Sequence, residues 1–463
     1  MDIKISNEIT ITEPTPEILT WCKQNLVIDN PDYAKKERMG LWVGNTPRTL
    51  SLYKINGNAV ILPIGAFKDI RGILIKENIN ASYTQDLANN KPIDYKAEIN
   101  LFDYQETALQ VMIKSKYGIL QSPAGSGKTQ IGIALAVALG KKCLWLTHTQ
   151  DLLKQSYDRA KQYIDEKLLG TITAGKVNIG SGITFATVQT LCKQDLTQYK
   201  YMWDVVIVDE CHRVAGTPTS ATQFSKVISN LASPHKYGLS ATVHRADGLI
   251  KCCYMLLGDV RHIVPDEAVK ERCMQVKIER VDTFAKMPFE ALGTDGTINY
   301  TKLISSLASN KLRNDEILYK IAEAPENYHL VLSDRLEQLY DIYDNLPTNL
   351  KDLASVIDGK MTSKKGKAER EQAIEDMRAG KKHILFASYK LAKEGLDIPR
   401  LDRLHLATPQ KDYAVIVQSV GRIARVFEGK QQPICFDYVD NFKMAENMYK
   451  KRCRHYRKCG CII

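Results

Sequence analysis

Two stretches of this chain repeat one pattern, in which short apolar runs alternate with segments long enough for a helix. In the first, the runs are Gly118-Ile119-Leu120, Cys143-Leu144-Trp145-Leu146, Ile183-Thr184-Phe185-Ala186 and Val205-Val206-Ile207-Val208. In the second they are His329-Leu330-Val331-Leu332, His383-Ile384-Leu385-Phe386 and Arg403-Leu404-His405-Leu406. Strands separated by helix-length crossovers build parallel sheets. The pattern predicts an α/β fold with two tandem parallel-sheet lobes, over residues 98–262 and 263–445. Open parallel sheets bind ligands beyond the carboxyl ends of their strands. The loops after these runs are therefore where chemistry is expected.

Residues 1–97 carry no catalytic signature. Apolar runs such as Ala59-Val60-Ile61-Leu62-Pro63 and turn signals at Gly44-Asn45 and Asn56-Gly57-Asn58 predict a small α/β or mainly β domain. The polar stretch Ala88-Asn89-Asn90-Lys91-Pro92 reads as a linker. No apolar core of signal-peptide length opens the chain, and the longest apolar stretch, Ile131 to Leu139, is too short to span a bilayer. No membrane association is expected. Eleven scattered cysteines, an odd count, suit reduced thiols in a cytoplasmic compartment. The formal charge of +11 suits a polyanionic partner without proving one.

After Ile119-Leu120 comes Ser122-Pro123-Ala124-Gly125-Ser126-Gly127-Lys128-Thr129, followed by a helical run. Small residues let backbone N–H groups curl around a polyphosphate at a helix N-terminus. Gly125, Ser126 and Gly127 would form that cradle for ATP, Lys128 would reach the β- and γ-phosphates, and Thr129 would ligate Mg²⁺. Ser122 stands where the usual pattern begins with Gly. Val205-Val206-Ile207-Val208 ends in Asp209-Glu210-Cys211-His212. Paired carboxylates at a strand end are costly unless they hold a cation or handle protons. Asp209 fits a Mg²⁺ role, direct or outer-sphere, and Glu210 fits polarisation of the attacking water.

Asp-Glu-x-His is the second motif of superfamily-2 helicases, and the chain resembles that family in an ordered series of motifs. Tyr104-Gln105 lies where these proteins place an adenine-reading Gln, which implies that role for Gln105. Thr147-His148-Thr149-Gln150-Asp151-Leu152 and Thr187-Val188-Gln189-Thr190-Leu191 match lobe-one segments that contact the nucleic-acid backbone. The resemblance nominates Thr147, His148, Thr187 and Gln189 as contacts. Ser240-Ala241-Thr242 matches the segment coupling hydrolysis to lobe movement. Val331-Leu332-Ser333-Asp334-Arg335 opens the second lobe, and Ala387-Ser388-Tyr389 precedes Glu394-Gly395-Leu396-Asp397-Ile398-Pro399, which resembles the fifth motif. From these, Ser333, Arg335 and Ser388 are nominated for the nucleic acid and Asp397 for the ribose or a loop. Gln418-Ser419-Val420-Gly421-Arg422-Ile423-Ala424-Arg425 resembles the sixth motif. Arg422 and Arg425, three apart, are expected on one side of a helix with Gln418 one turn earlier. An Arg offered from the facing lobe stabilises the charge of a phosphoryl-transfer transition state.

The family implies two RecA-like lobes and an ATP-hydrolysing motor that uses Mg²⁺. DEAD-type RNA helicases usually begin the sixth motif with His and place Asp fourth in the box, where this chain has Gln418 and His212. Other segments resemble the excision-repair helicases and, in size and layout, phage-encoded branch-migration and fork-reversal helicases. That likeness implies a DNA partner, branched or forked, 3′ to 5′ movement, roles in replication, recombination or repair, and a host-cytoplasm setting if phage-encoded. A restriction-system motor and an RNA helicase are the alternatives, and a monomer is the expected state. The N-terminal domain is expected to choose the substrate, with Trp42, Tyr53 and Lys54 as stacking and phosphate groups, although each aromatic alone reads better as core. Its removal is expected to leave ATP turnover nearly intact. Residues 446–463 are expected to be a solvated basic tail, with zinc binding by Cys453, His455, Cys459 and Cys461 the weaker reading. Residues 270–325 are the candidate region for a strand-separating hairpin.

Overall fold

The computed structural model describes residues 1–123, 125–216, 222–243, 247–270, 273–293, 297–359, 361, 363–393, 396 and 398–463. The chain divides into two units, Met1–Val264 and Pro265–Ile463. No described helix is long and apolar enough to cross a membrane.

The first unit begins with β1 (Asp2–Ile5), β2 (Ile9–Thr12), β3 (Val27–Asp29), β4 (Thr49–Ser51), β5 (Lys54–Asn56), β6 (Ala59–Leu62) and β7 (Ser82–Gln85). Five of them form one sheet in the order β5-β6-β2-β1-β7, and β3 pairs with β4. Ile3, Ile5, Ile9 and Ile11 alternate inward along β1 and β2, the period-two pattern of a sheet with one covered face. Ile18, Cys22, Ile70 and Leu74, from helices Pro16–Asn25 and Phe67–Lys76, cover that face. This is the small sheet domain the turn signals predict.

It is not a detachable module. Its core includes Cys252, with Tyr117, Leu249 and Met255 packed against it, all from beyond residue 97. Gly65 lies so close to the helix Ile250–Leu257 that a Cβ there would stand 2.4 Å from the Tyr254 carbonyl oxygen. Asn7 Nδ2 donates to the Ser229 carbonyl at 2.7 Å. The expected linker is a pinned strap: the Ala88 N–H bonds the Ala232 carbonyl and the Asn90 N–H bonds Asp204 Oδ1 at 2.9 Å.

The main sheet of this unit contains β8 (Tyr117–Gln121), β9 (Cys143–Thr147), β10 (Leu169–Thr173), β11 (Lys176–Asn178), β12 (Ile183–Thr187), β13 (Val205–Asp209), β14 (His235–Ser240) and β15 (Val260–Ile263). Their order is β11-β10-β12-β9-β13-β14-β8-β15, parallel except for the β10–β11 hairpin. β9, β12 and β13 are buried at every residue, which is why they read as unbroken apolar runs. The helix Lys128–Leu139 lies tight on the sheet, because at Gly132 a Cβ would meet the Trp145 ring at 2.6 Å.

The second unit holds β16 (Lys277–Asp282), β17 (His329–Ser333), β18 (Ala354–Ile357), β19 (Ile384–Ser388), β20 (Arg403–Leu406) and β21 (Ile434–Val439), in the order β16-β21-β20-β17-β19-β18 and parallel throughout. The supposed basic tail is part of this body. The helix Lys443–Lys458 buries Ala445, Met448, Arg452, Cys453 and Tyr456, a stripe at three- and four-residue spacing that the surrounding basic residues conceal. Arg452 donates through Nε and Nη2 to both Asp437 oxygens at 2.7 Å, and the Tyr456 hydroxyl donates to the same carboxylate at 2.7 Å. The chain end is stitched beside β16, with Ile462 N–H on the Val276 carbonyl and Ile278 N–H on the Ile462 carbonyl. Cys453 packs inward and the His455 ring lies 4.9 Å from that of Tyr413.

Candidate functional site

The phosphate loop, Ser240 and the paired carboxylates follow β8, β14 and β13, three neighbouring strands that end side by side. The Ser122 N–H donates to the Ser240 carbonyl at 2.9 Å and ties two of these ends together. Ala124 lies outside the described residues. Gly125 and Gly127 take φ of 84° and 76°, a left-handed backbone that glycine adopts without penalty. Gly127 then caps the helix Lys128–Leu139, leaving its first N–H groups without intrahelical partners beside Lys128 and Thr129. The Ser122 hydroxyl donates to Ser126 Oγ, which donates to the Pro123 carbonyl, both at 2.6 Å. Ser122, where the usual pattern has Gly, thus braces the loop from within.

Gln105 is fully buried, and its Nε2 donates to the Ser126 carbonyl at 2.8 Å while Oε1 accepts the Phe102 N–H at 3.1 Å. The Tyr104 hydroxyl donates to the same Ser126 carbonyl at 3.0 Å. Both ends of Gln105 are engaged by the chain, so it clamps the loop, while the second N–H of its amide and the second lone pair of Oε1 are not used by these bonds. A Cβ at Gly127 would strike Gln105 Nε2 at 2.5 Å, which fixes glycine at that position for a second reason.

Asp209 ends β13 fully within the protein, and Glu210 follows with φ of 51°, a strained conformation for a side-chain-bearing residue. His212 Nδ1 lies 3.2 Å from Glu210 Oε2 and 2.9 Å from Ser240 Oγ. The Ser240 hydroxyl donates to the Thr242 carbonyl at 2.7 Å, so the hydrogen-bond network assigns the proton to His212 Nδ1 as donor. Burial works against charge on Glu210, but His212, Lys128 and His148 outweigh it and hold its carboxyl below the ordinary range. Burial and the neighbouring Glu210 charge push Asp209 upward, with Lys128 opposing. A buried acid raised in this way stays ionised once a cation sits beside it, so this donor set fits Mg²⁺.

The expected nucleic-acid residues of this unit separate into two groups. Thr147 and Thr187 are buried, their hydroxyls donating to the Thr149 carbonyl and to Thr190 Oγ1. Gln189 is exposed and donates to the His148 carbonyl at 2.6 Å, joining the ends of neighbouring β9 and β12. Of these four residues only Gln189 is exposed; His148 is half-buried, with both ring nitrogens covered.

In the second unit, Ser333 is buried, its hydroxyl donating to Gln338 Oε1 and accepting the Arg335 N–H. Arg335 donates to Ser305 Oγ and the Thr301 carbonyl, and Ser388 Oγ accepts the Leu391 N–H. Asp397 lies outside the described residues, as do Glu394 and Gly395. Gln418 and Arg422 sit on the helix Tyr413–Ile423, and Gln418 Oε1 is buried with no hydrogen-bond partner among the described residues. The helix stops at Ile423, so Arg425 lies beyond it, its backbone in an isolated bridge with Cys273 rather than on the helical face expected for the pair. Lys430, which sequence reasoning missed, caps the helix end: its ammonium donates to the Ile423 and Arg425 carbonyls at 2.8 and 2.7 Å. No motif could have announced it. Arg422 donates to the carbonyls of Ala392 and Leu396 at 3.1 and 2.9 Å, within its own unit.

The family model described as Type III restriction enzyme, res subunit matches residues 98–245, and the Helicase conserved C-terminal domain matches residues 314–427. The chain is a superfamily-2 helicase. The helicase is 30% identical over 332 residues to L396 of Acanthamoeba polyphaga mimivirus, a protein named for an ATP-dependent RNA helicase, covering 70% of this chain but 60% of that one. Helicase 161L of invertebrate iridescent virus 6 is 24% identical over 480 residues, 99% of each chain. The DNA 3'-5' translocase XPB2 of Sulfurisphaera tokodaii is 25% identical over 398 residues, 79% of this helicase and 87% of the relative. Membership makes it an ATP-hydrolysing nucleic-acid enzyme related to the XPB-like helicases.

Proposed function

We propose that this helicase is a DNA motor that acts on forks and branches, exchanging one pairing of strands for another. The observation that carries the motor reading is the linked set Glu210–His212–Ser240 beside Lys128 and Asp209. Lys128 and the helix N-terminus hold the phosphates of ATP, Asp209 and Thr129 hold Mg²⁺, and Glu210 orients the attacking water. Mg²⁺, when bound, neutralises charge on the phosphates. His212 bridges Glu210 to Ser240, whose strand also meets the phosphate loop through Ser122. Arg422, offered from the second unit, stabilises the transition-state charge, and His148 and Gln189 touch the strand.

The name of the archaeal translocase supports DNA. Branch choice falls to the N-terminal domain, and here the exposed tip supports the reading. Trp42 is 87% exposed and Met39 and Leu41 stand bare beside it, at the end of the helix Pro31–Arg38 with its Lys35, Lys36 and Arg38. Tyr53, by contrast, packs against the domain core. A Trp this exposed, its ring laid over Gly44, suits stacking on an unpaired base.

The test is ATPase rate and product formation on single strands, simple duplexes, forks, four-way junctions and RNA, for the native chain and Trp42→Ala. Junction and fork processing should exceed simple unwinding in the native chain, and Trp42→Ala should lower that ratio at least threefold while single-strand-stimulated ATPase persists. Stronger stimulation by RNA than by DNA, or an equal ratio in both proteins, would overturn the substrate reading.

A further inference from the structure

Between β16 and the helix Tyr300–Ala308 the described residues are 283–293 and 297–299. Thr283 and Ala285 point inward while Phe284 and Lys286 point outward, the alternation of extended chain. Phe284 is 78% exposed, and Phe289, which opens a 3₁₀ turn, is 86% exposed. Leu292 and Ile298, joined as an isolated antiparallel bridge, are exposed as well.

The segment is firmly buttressed. Ala285, Ala291, Leu303 and Leu307 form a small core beneath it. The Thr283 hydroxyl donates to Asp440 at 2.7 Å, and Glu290 accepts from Ser306 at 2.7 Å. A lone exposed Leu is ordinary, but two nearly bare phenylalanines on a braced segment point to a contact made elsewhere.

Its position says with what. The Tyr300 hydroxyl donates to the Pro409 carbonyl, and Lys411 Nζ lies 4.4 Å from the Tyr300 ring centre. Arg335 reaches from the end of β17 onto Thr301 and Ser305. The loops at the carboxyl ends of β16, β17 and β20 therefore gather here, where an open parallel sheet binds its ligand. Exposed Lys286, Lys302 and Lys411 add positive charge, while Asp282 is paired with Arg280 and Glu290 is held by Ser306.

We propose that Phe284 and Phe289 are a base-stacking platform for single-stranded nucleic acid, flanked by lysines that take the phosphates. This rests on the motor reading but is tested apart from it. Base–aromatic stacking tolerates any sequence and is strong enough to separate base contacts from phosphate contacts.

The experiment measures, by fluorescence anisotropy without nucleotide, binding of the full chain to a labelled oligothymidylate and to an abasic strand of equal length. The native chain should bind the base-bearing strand at least about fivefold more tightly. Phe284→Ala/Phe289→Ala should lose that preference and bind both strands alike, whereas Phe284→Tyr/Phe289→Tyr should keep it. A native chain without the preference, or a double-alanine variant that retains it, overturns the platform. Absence of strand-stimulated ATPase in the native chain would count against the motor reading alone, since base preference is read without ATP.

Discussion

At the carboxyl end of the first unit's sheet, His212 lies 3.2 Å from the Glu210 carboxylate and is hydrogen-bonded to Ser240, and Ser122 ties the phosphate loop to the same strand. In the second unit, Arg422 donates to two carbonyls of its own body. The first unit links its carboxylate to a neighbouring strand, whereas Arg422 is engaged by carbonyls within the second unit. Two hydrogen bonds from a charged donor are worth roughly 3 to 6 kcal/mol together. An arginine finger contributes roughly 10³ to 10⁵ in rate, about 4 to 7 kcal/mol. The two magnitudes are similar, so the carbonyl contacts of Arg422 are compatible with a finger role in the proposed cycle.

Two experiments bear on this contrast. The larger effect is expected from removing residues 1–97. The helix Ile250–Leu257 buries Cys252 in the N-terminal core, while Cys253 Sγ donates to the Cys211 carbonyl in the active-site turn at 3.2 Å. Loss of the domain strips the cover from that helix and should abolish ATP turnover and lower the melting temperature of the first unit. Calorimetry with an ATPase assay checks this, and a truncated chain that melts and turns over normally would show the assembled site to be independent of the domain. A smaller effect is expected for Arg422→Ala: kcat should fall at least tenfold with nucleotide affinity changed less than threefold, measured by steady-state ATPase and equilibrium nucleotide binding. Unchanged kcat would mean that Arg422 is not the finger.

What the sequence made legible follows from burial. β9, β12 and β13 are covered on both faces, so their apolar runs stand out, and the residues at their ends could be named. β10, β16 and β21 lie at or near sheet margins or mix polar residues into the strand, and no run marked them. Arg452 concealed a packed helix, because a buried ion pair reads as one more basic residue. Breaking such a pair typically costs about 3–5 kcal/mol, yet Asp437 lies fifteen positions away on another element. Likewise the spacing of Arg422 and Arg425 suggested a shared helical face, but the helix ends at Ile423. Trp42 was legible as an aromatic but not as a bare one, since exposure depends on neighbours that arrive only on folding.

The central claim is that the first unit carries an assembled water-activating carboxylate. Glu210→Gln preserves shape and removes only the charge. Equilibrium ATP binding and single-turnover hydrolysis should be measured on the same preparation, with saturating single-stranded DNA. The account predicts ATP affinity within about threefold of the native chain and hydrolysis slowed at least a hundredfold. Hydrolysis at the native rate would contradict it, and would mean that the chemistry is done by other residues than those at the end of β13.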